Sequence, residues 1–234
     1  MNEHFKTRMK SWILLLHLVV AAATPFPLRA VPLVTYSFNG STGSETSFPA
    51  DAQPTGASAS FMTRGSGLTA SGAAGAFSSS GWTTGVSTDP NDYYAFALTP
   101  NAGFSMTLTQ LMLDEKRSLT GIRNWVVRSS LDSFSSDLAT FSVPDDDLTR
   151  TGQTINLSAS FASLTSVTEF RIYGFGAEGA AGTWRVDNVK VEGSTKLLSS
   201  VPETGSTALL AVVSFLGLFA FRRFAAGLAQ QKFN

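Results

Sequence analysis

Between residues 31 and 193 apolar side chains recur at every second position in short runs, and no stretch keeps the three-to-four spacing of a helix. "VTYSF" (34–38) places Val34, Tyr36 and Phe38 on one face, and "YAFAL" (94–98) does the same with Tyr94, Phe96 and Leu98. "FSMTL" (104–108), "INLSASF" (155–161) and "EFRIYGF" (169–175) continue the pattern. "TWRVDNVKV" alternates through Trp184 and Val186, then changes parity to Val189 and Val191, which predicts a bulge or tight bend at Asp187–Asn188. One apolar and one polar face per run is the signature of half-buried antiparallel strands. Turn clusters "FNGSTGS", "TDPND", "TPNAG", "VPDDD" and "RTGQT" separate them. The Gly- and Ser-rich stretch 40–85 still carries Phe61, Met62, Leu68, Phe77 and Trp82, and reads as strands with long loops. Only residues 129–141 suggest a short turn of helix. About eight to ten short strands so spaced predict an all-β fold, an antiparallel β-sandwich of jelly-roll-like winding.

The two ends follow other rules. Lys6, Arg8 and Lys10 precede an apolar run from Trp12 to Ala23, followed by "TPFPLRA". A basic start, a short apolar run and small residues before a cut predict a signal peptide over residues 1–30, cleaved after Ala23 or Ala30. Near the other end, residues 207–221 hold fifteen residues without a charge, and Arg222 and Arg223 close the stretch. As a helix it would extend about 22 Å at 1.5 Å per residue. That is short of a hydrocarbon core of about 30 Å, so it spans where the bilayer thins or the arginines snorkel. The arginine pair belongs on the cytoplasmic side. The expected organisation is therefore a signal peptide (1–30), a sandwich domain (31–193), a linker with a sorting motif (194–206), a single transmembrane helix (207–221) and a basic cytoplasmic tail (222–234).

A short polar motif, an apolar helix and a basic cluster resemble the PEP-CTERM tails of bacterial exosortase substrates. The VPDSG-type variant is the nearest in pattern: "VPETGST" keeps Val201, Pro202, an acidic Glu203, and Gly205 ahead of Ser206 and Thr207, with Thr204 where that variant tends to have serine. The same residues resemble the LPxTG signal of sortases, with Val201 in place of leucine. Pro202 disfavours helix in the residue before it, and Gly205 lets a cleft close around the backbone, as a processing site requires. Within the body, "RNWVVRSSLDSFSSDLAT" followed by "EFRIYGFGAEGAAGTWRVDNVKVEG" resembles a domain of PEP-CTERM exported proteins. The resemblance implies a secreted jelly-roll-like domain, processing by an exosortase-type membrane transpeptidase, membrane attachment through the C-terminal helix before processing, and display at the cell surface or release into the matrix. It implies no reaction.

Charge and composition narrow the chemistry. From Val31 to Ser206 there are ten Lys and Arg against sixteen Asp and Glu, so the body is net negative by six and lacks the basic surface that nucleic acid needs. The chain has no cysteine, and His4 and His17 both lie in the expected signal peptide. The mature body would then have neither the imidazole base of a Ser-His-Asp triad nor His or Cys ligands for zinc. Carboxylates remain. Asp114, Glu115, Asp132, Asp137, Glu169 and Glu178 are candidate acids, but no pair stands out by spacing as a glycosidase dyad would. Asp145, Asp146 and Asp147 are candidate Ca²⁺ ligands, since a hard cation takes oxygen, although a run of acids more often forms a solvated loop. Among the aromatics, Tyr94 and Trp184 are in phase with apolar neighbours and read as core. Trp82 and Tyr93 sit among Gly and Asp residues and read as candidate glycan contacts. Asn39 and Asn156 match the N-glycosylation pattern, which a bacterial tail makes accidental. Three functions follow in rank: a non-enzymatic surface or matrix component, an extracellular carbohydrate-binding module, and a glycan-cleaving enzyme using two carboxylates.

Overall fold

The structure is a computed structural model and describes residues 31–51, 53 and 55–198. The signal peptide, the motif at 201–205, the apolar stretch 207–221 and Arg222 and Arg223 lie outside the described residues. Thirteen strands are found among the described residues. The first six are β1 (Val31–Tyr36), β2 (Ser47–Phe48), β3 (Ala57–Ala59), β4 (Met62–Arg64), β5 (Thr69–Ala70) and β6 (Phe77–Ser80). Two long strands follow, β7 (Tyr93–Pro100) and β8 (Phe104–Arg117), then β9 (Asn124–Ser129), β10 (Ala139–Ser142) and β11 (Arg150–Asn156). The last are β12 (Thr168–Phe175) and β13 (Trp184–Leu197).

They pair antiparallel in two sheets. Sheet one runs β11-β8-β13-β6-β5, with β1 beside β6 on the same flank of β13. Sheet two runs β10-β9-β12-β7-β4-β2, with β3 also on β7. From β7 the chain crosses to β8, returns to the β9–β10 hairpin, crosses to β11, returns to β12 and finishes in β13. That alternation, with β11-β8-β13 facing β10-β9-β12-β7, is the winding of a jelly roll.

Both inner faces carry the residues that alternation predicts. Tyr94, Phe96 and Leu98 of β7 and Phe170 and Ile172 of β12 meet Leu111 and Leu113 of β8 and Val186, Val189 and Val191 of β13. At the centre Trp184 packs against Tyr94, Trp82 and Trp125, with ring centroids 5.6, 5.3 and 5.9 Å apart. Aromatic pairs of this kind add about 0.5–1.5 kcal/mol each beyond the area they bury. The Tyr94 hydroxyl donates to the Trp184 carbonyl at 2.8 Å, which ties sheet two to sheet one inside the core. Arg64 closes one side, donating to the carbonyls of Gly43, Glu45 and Ser78 while its guanidinium lies 3.6 Å from the Phe77 ring centre.

The expected bulge is present. Register shifts between Asp187 and Lys190, Asn188 has φ +48°, and its side-chain amide donates to Asp114 at 2.9 Å. Other expectations need correction. "RTGQT" is not a free turn but belongs to β11, whose register shifts between Arg150 and Gln153. "INLSASF" is not one strand: β11 ends at Asn156, and a 3-10 turn over Ala159–Phe161 swings Phe161 into the core. The domain does not end at 193, because β13 pairs with β8 as far as Leu197 and takes up residues assigned to the linker. The short turn of helix expected in 129–141, by contrast, is present, as a 3-10 turn at Ser130–Asp132.

A carboxyl group is buried inside the sandwich. Glu115 is buried, accepts the Trp184 indole N–H at 2.7 Å and faces Arg150 at 3.5 Å. Burial pushes its carboxyl above the ordinary 4.5, against the pull of the Trp184 and Arg150 donors. The folded state therefore holds this proton more tightly than the unfolded chain. Stability from this group is fullest below 4.5 and declines as pH rises through the native value. Glu115→Gln removes that titration. Urea unfolding at pH 4 and pH 7 should show the variant gaining on the wild type as pH rises; an equal difference at both pH values would count against it.

Candidate functional site

The parity that drives Tyr94, Phe96 and Leu98 inward turns Tyr93, Ala95 and Ala97 outward on β7. Likewise Glu169, Arg171 and Tyr173 point outward from β12, and Asn124, Val126 and Arg128 from β9. Register brings these sets together: Tyr173 lies beside Tyr93 on one side and Val126 on the other, Arg171 beside Ala95 and Arg128, and Glu169 beside Ala97. Along β7 two alanines thus lie between taller neighbours. A groove of about 380 Å³ opens there, floored by Ala95 and Ala97 and walled by Phe61, Thr63, Tyr93 and Glu169. Phe61 is 57% exposed and presents its ring to solvent at the groove wall.

Beside the groove runs a ladder of rings and guanidinium groups. Arg171 lies 4.5 Å over Tyr93 and 3.9 Å over Phe134, and its Nε donates to Glu169 at 2.7 Å. Arg128 lies 5.2 Å over Tyr173, and its Nε donates to Asp137 at 2.6 Å. Tyr93 and Tyr173 are 5.3 Å apart. Covered in this way, Tyr173 is only 4% exposed although it points away from the core.

Phe134 reaches Arg171 because of its loop. After the 3-10 turn, Ser133 and Phe134 both take positive φ, +59° and +62°, a conformation costly for a phenylalanine. Asp132 holds the turn by accepting the N–H groups of Ser135 and Ser136, and Ser130 accepts the N–H of Glu169. The Ser136 and Ser135 donors hold the Asp132 carboxyl below its usual range. The segment "RSSLDSF" is thereby stitched to "EFRIYGF" across the face.

Of the two expected glycan contacts, Tyr93 is at the groove and Trp82 is not. Trp82 is 2% exposed, donates its indole N–H to the Ser79 carbonyl at 2.9 Å, and packs edge-on to Tyr94 and Trp184. Gly174 makes the room, since a Cβ there would sit 2.8 Å from the indole. Trp82 is core, and a sugar cannot reach it.

Two carboxylates of the Asp145–Asp147 run are engaged by arginines. Asp145 pairs with Arg117 and Arg123 at 3.1 and 3.3 Å, while Asp146 pairs with Arg150 and accepts the N–H of Leu148. Among the described residues no three His, Cys, Asp or Glu side chains gather where they could hold a metal ion. Other candidate acids have fixed partners. Asp114 binds Gly152 N–H and Asn188, and Glu178 binds Arg117 and Arg123. Arg117, buried and also donating to the Leu119 carbonyl, is the centre of that cluster and pins the chain segment around Pro144. A second depression of about 420 Å³ lies on sheet one, by Lys116, Leu119, Thr120, Asp147 and Arg185, and presents no aromatic ring.

No family model matches the chain, and no curated protein matches it. Among solved structures, a variant of a family 29 carbohydrate-binding module in complex with mannohexaose aligns over 70% of this chain and 93% of its own, at 17% identity and a TM-score of 0.37. A second variant of a family 29 module covers 70% and 92% at 20% identity and 0.38, and another structure of the family 70% and 90% at 20% and 0.37. Scores this low leave fold and site to rest on the chain's own geometry.

The arginine ladder sits on the outside of a sheet whose stability resides in the other face. Arg171→Ala and Arg128→Ala should each cost no more than about 1 kcal/mol, the scale of exposed ion pairs and cation–π contacts. Urea midpoints of the two variants test this, and a loss comparable to a core truncation would mean that the face is structural.

Proposed function

We propose that this chain is an exported, non-catalytic protein whose sandwich binds extracellular polysaccharide in the groove on sheet two. The observation that carries this is the trench over Ala95 and Ala97, with Tyr93 and the exposed Phe61 on its walls and the Glu169–Arg171 pair on its edge. Sugar rings offer apolar C–H faces to aromatic rings and hydroxyls to carboxylates and guanidinium groups. A site of a few hundred Å³ with a few fixed polar groups is the usual form of such recognition. Small residues in the floor leave space for the sugar, and large ones beside them grip it.

Export and sorting belong to the same reading. The basic-then-apolar N-terminus, the motif Val201-Pro202-Glu203-Thr204-Gly205 and the Arg222–Arg223 pair behind an apolar stretch support secretion, passage through the membrane and processing by an exosortase-type transpeptidase. Polysaccharide binding then gives the displayed domain a role at the cell surface or in the matrix.

Affinity electrophoresis in gels cast with soluble polysaccharides tests the binding. Tyr93→Ala should weaken it at least about tenfold, or ~1.4 kcal/mol. Ala97→Leu, which fills the trench from outside the core, should do the same, and the native chain binding no glycan at all would refute the reading. Mass spectrometry of the mature protein tests the sorting: a C-terminus near Thr204 is expected, and a chain intact to Asn234 would leave the apolar stretch as a plain anchor.

A further inference from the structure

The charges around the groove are already matched. Arg171 is bound to Glu169 and held between Tyr93 and Phe134, and Arg128 is bound to Asp137 over Tyr173. Arg64, opposite the inward Tyr94 in register, lies on the other face of the sheet against Phe77 and the Gly43, Glu45 and Ser78 carbonyls, away from the groove. Among the described residues, the two arginines of the outer face, Arg128 and Arg171, are thus balanced by two carboxylates. Glu169 itself forms part of the groove wall, and its second oxygen, Oε2, has no hydrogen-bond donor among the described residues. A uronate or sulfate group entering the groove would meet this carboxylate, lose water and find no free cation in return, a cost that uncharged sugar hydroxyls do not incur. Hydroxyls instead supply the donor that Glu169 Oε2 lacks. The acidic body, net negative by six, repels polyanions at longer range as well.

Resting on the carbohydrate reading of this groove, we propose that it selects uncharged glycans and rejects acidic ones, and that the Glu169–Arg171 pair is the element that enforces the choice. Glu169 acts twice: it repels an anion in the groove and it occupies the guanidinium that an anion would need. Neutralising it should release Arg171 and reverse the preference.

The experiment compares the purified full chain with Glu169→Gln. The probes are a neutral set (glucan, mannan and xylan) and an acidic set (polygalacturonate, alginate and a sulfated galactan), at 20 and 500 mM NaCl. The native chain should bind at least one neutral glycan at least tenfold more tightly than any acidic one. That affinity should change less than twofold with salt, because its charges are paired internally. Glu169→Gln should gain at least tenfold toward polygalacturonate, and the gain should vanish at 500 mM NaCl, where salt screens the released Arg171. The circular dichroism spectrum of the variant checks that it is folded, and Glu169→Asp, which keeps the charge, should retain the rejection. Tight binding of an acidic glycan by the native chain would overturn this selectivity while leaving the carbohydrate reading in place. No gain by a folded Glu169→Gln would overturn the role given to the pair, and absence of binding to every glycan would overturn both.

Discussion

The contact on which the structure depends is that of Tyr94 with Trp184, one ring from each sheet, stacked at 5.6 Å and joined by the hydrogen bond from the Tyr94 hydroxyl to the Trp184 carbonyl. It fixes the parity of β7. Side chains in a strand alternate strictly, so with Tyr94 held inward, Phe96 and Leu98 follow it into the core and Tyr93, Ala95 and Ala97 must face solvent. Pairing then transmits the choice: Ile172 opposite Tyr94 and Phe170 opposite Phe96 place Glu169, Arg171 and Tyr173 on the outside. A slip of one residue would bury Arg171 and expose Phe170. The groove is thus the other side of the core pattern, and whatever stabilises one positions the other.

This explains which features can be read from the sequence. Strands 94–98 and 104–108 and the change of parity at Asp187–Asn188 rest on local alternation, and the structure has them where alternation puts them. Trp82 resisted such reading because its neighbours are local and its partners are not. Flanked by Gly81 and Gly85 it looks like a loop tip, yet the space it fills is made by Gly174, more than ninety positions away. Similarly, Phe161 is in the core as the sequence suggests, but a 3-10 turn brings it there after the strand has ended. The polar faces of the strands carry a signal of their own. Glu169, Arg171 and Tyr173 alternate with Phe170 and Ile172, and this alone marks them as one outward row. That Phe61 and Phe134 join them depends on pairing between β4, β7 and β12 and on a loop conformation, which no local pattern states.

That loop also explains how the polar groups of the face are held in place. Two consecutive residues with positive φ, one of them a phenylalanine, cost about 1–3 kcal/mol each and persist only where their surroundings fix them. Asp132 and Ser130 supply the fixing, through the N–H groups of Ser135, Ser136 and Glu169. What the strain achieves is the placement of the Phe134 ring on Arg171, which confines the guanidinium between two aromatic faces and aims its Nε at Glu169. A free arginine and a free glutamate on a sheet surface would each lose side-chain entropy on gripping a sugar. Here that ordering occurs on folding, so under the proposed function little of it would remain to oppose binding. Conformational strain in the "RSSLDSF" loop and a prearranged polar edge at the groove are two ends of one mechanical chain, whose links are Phe134, Arg171 and Glu169.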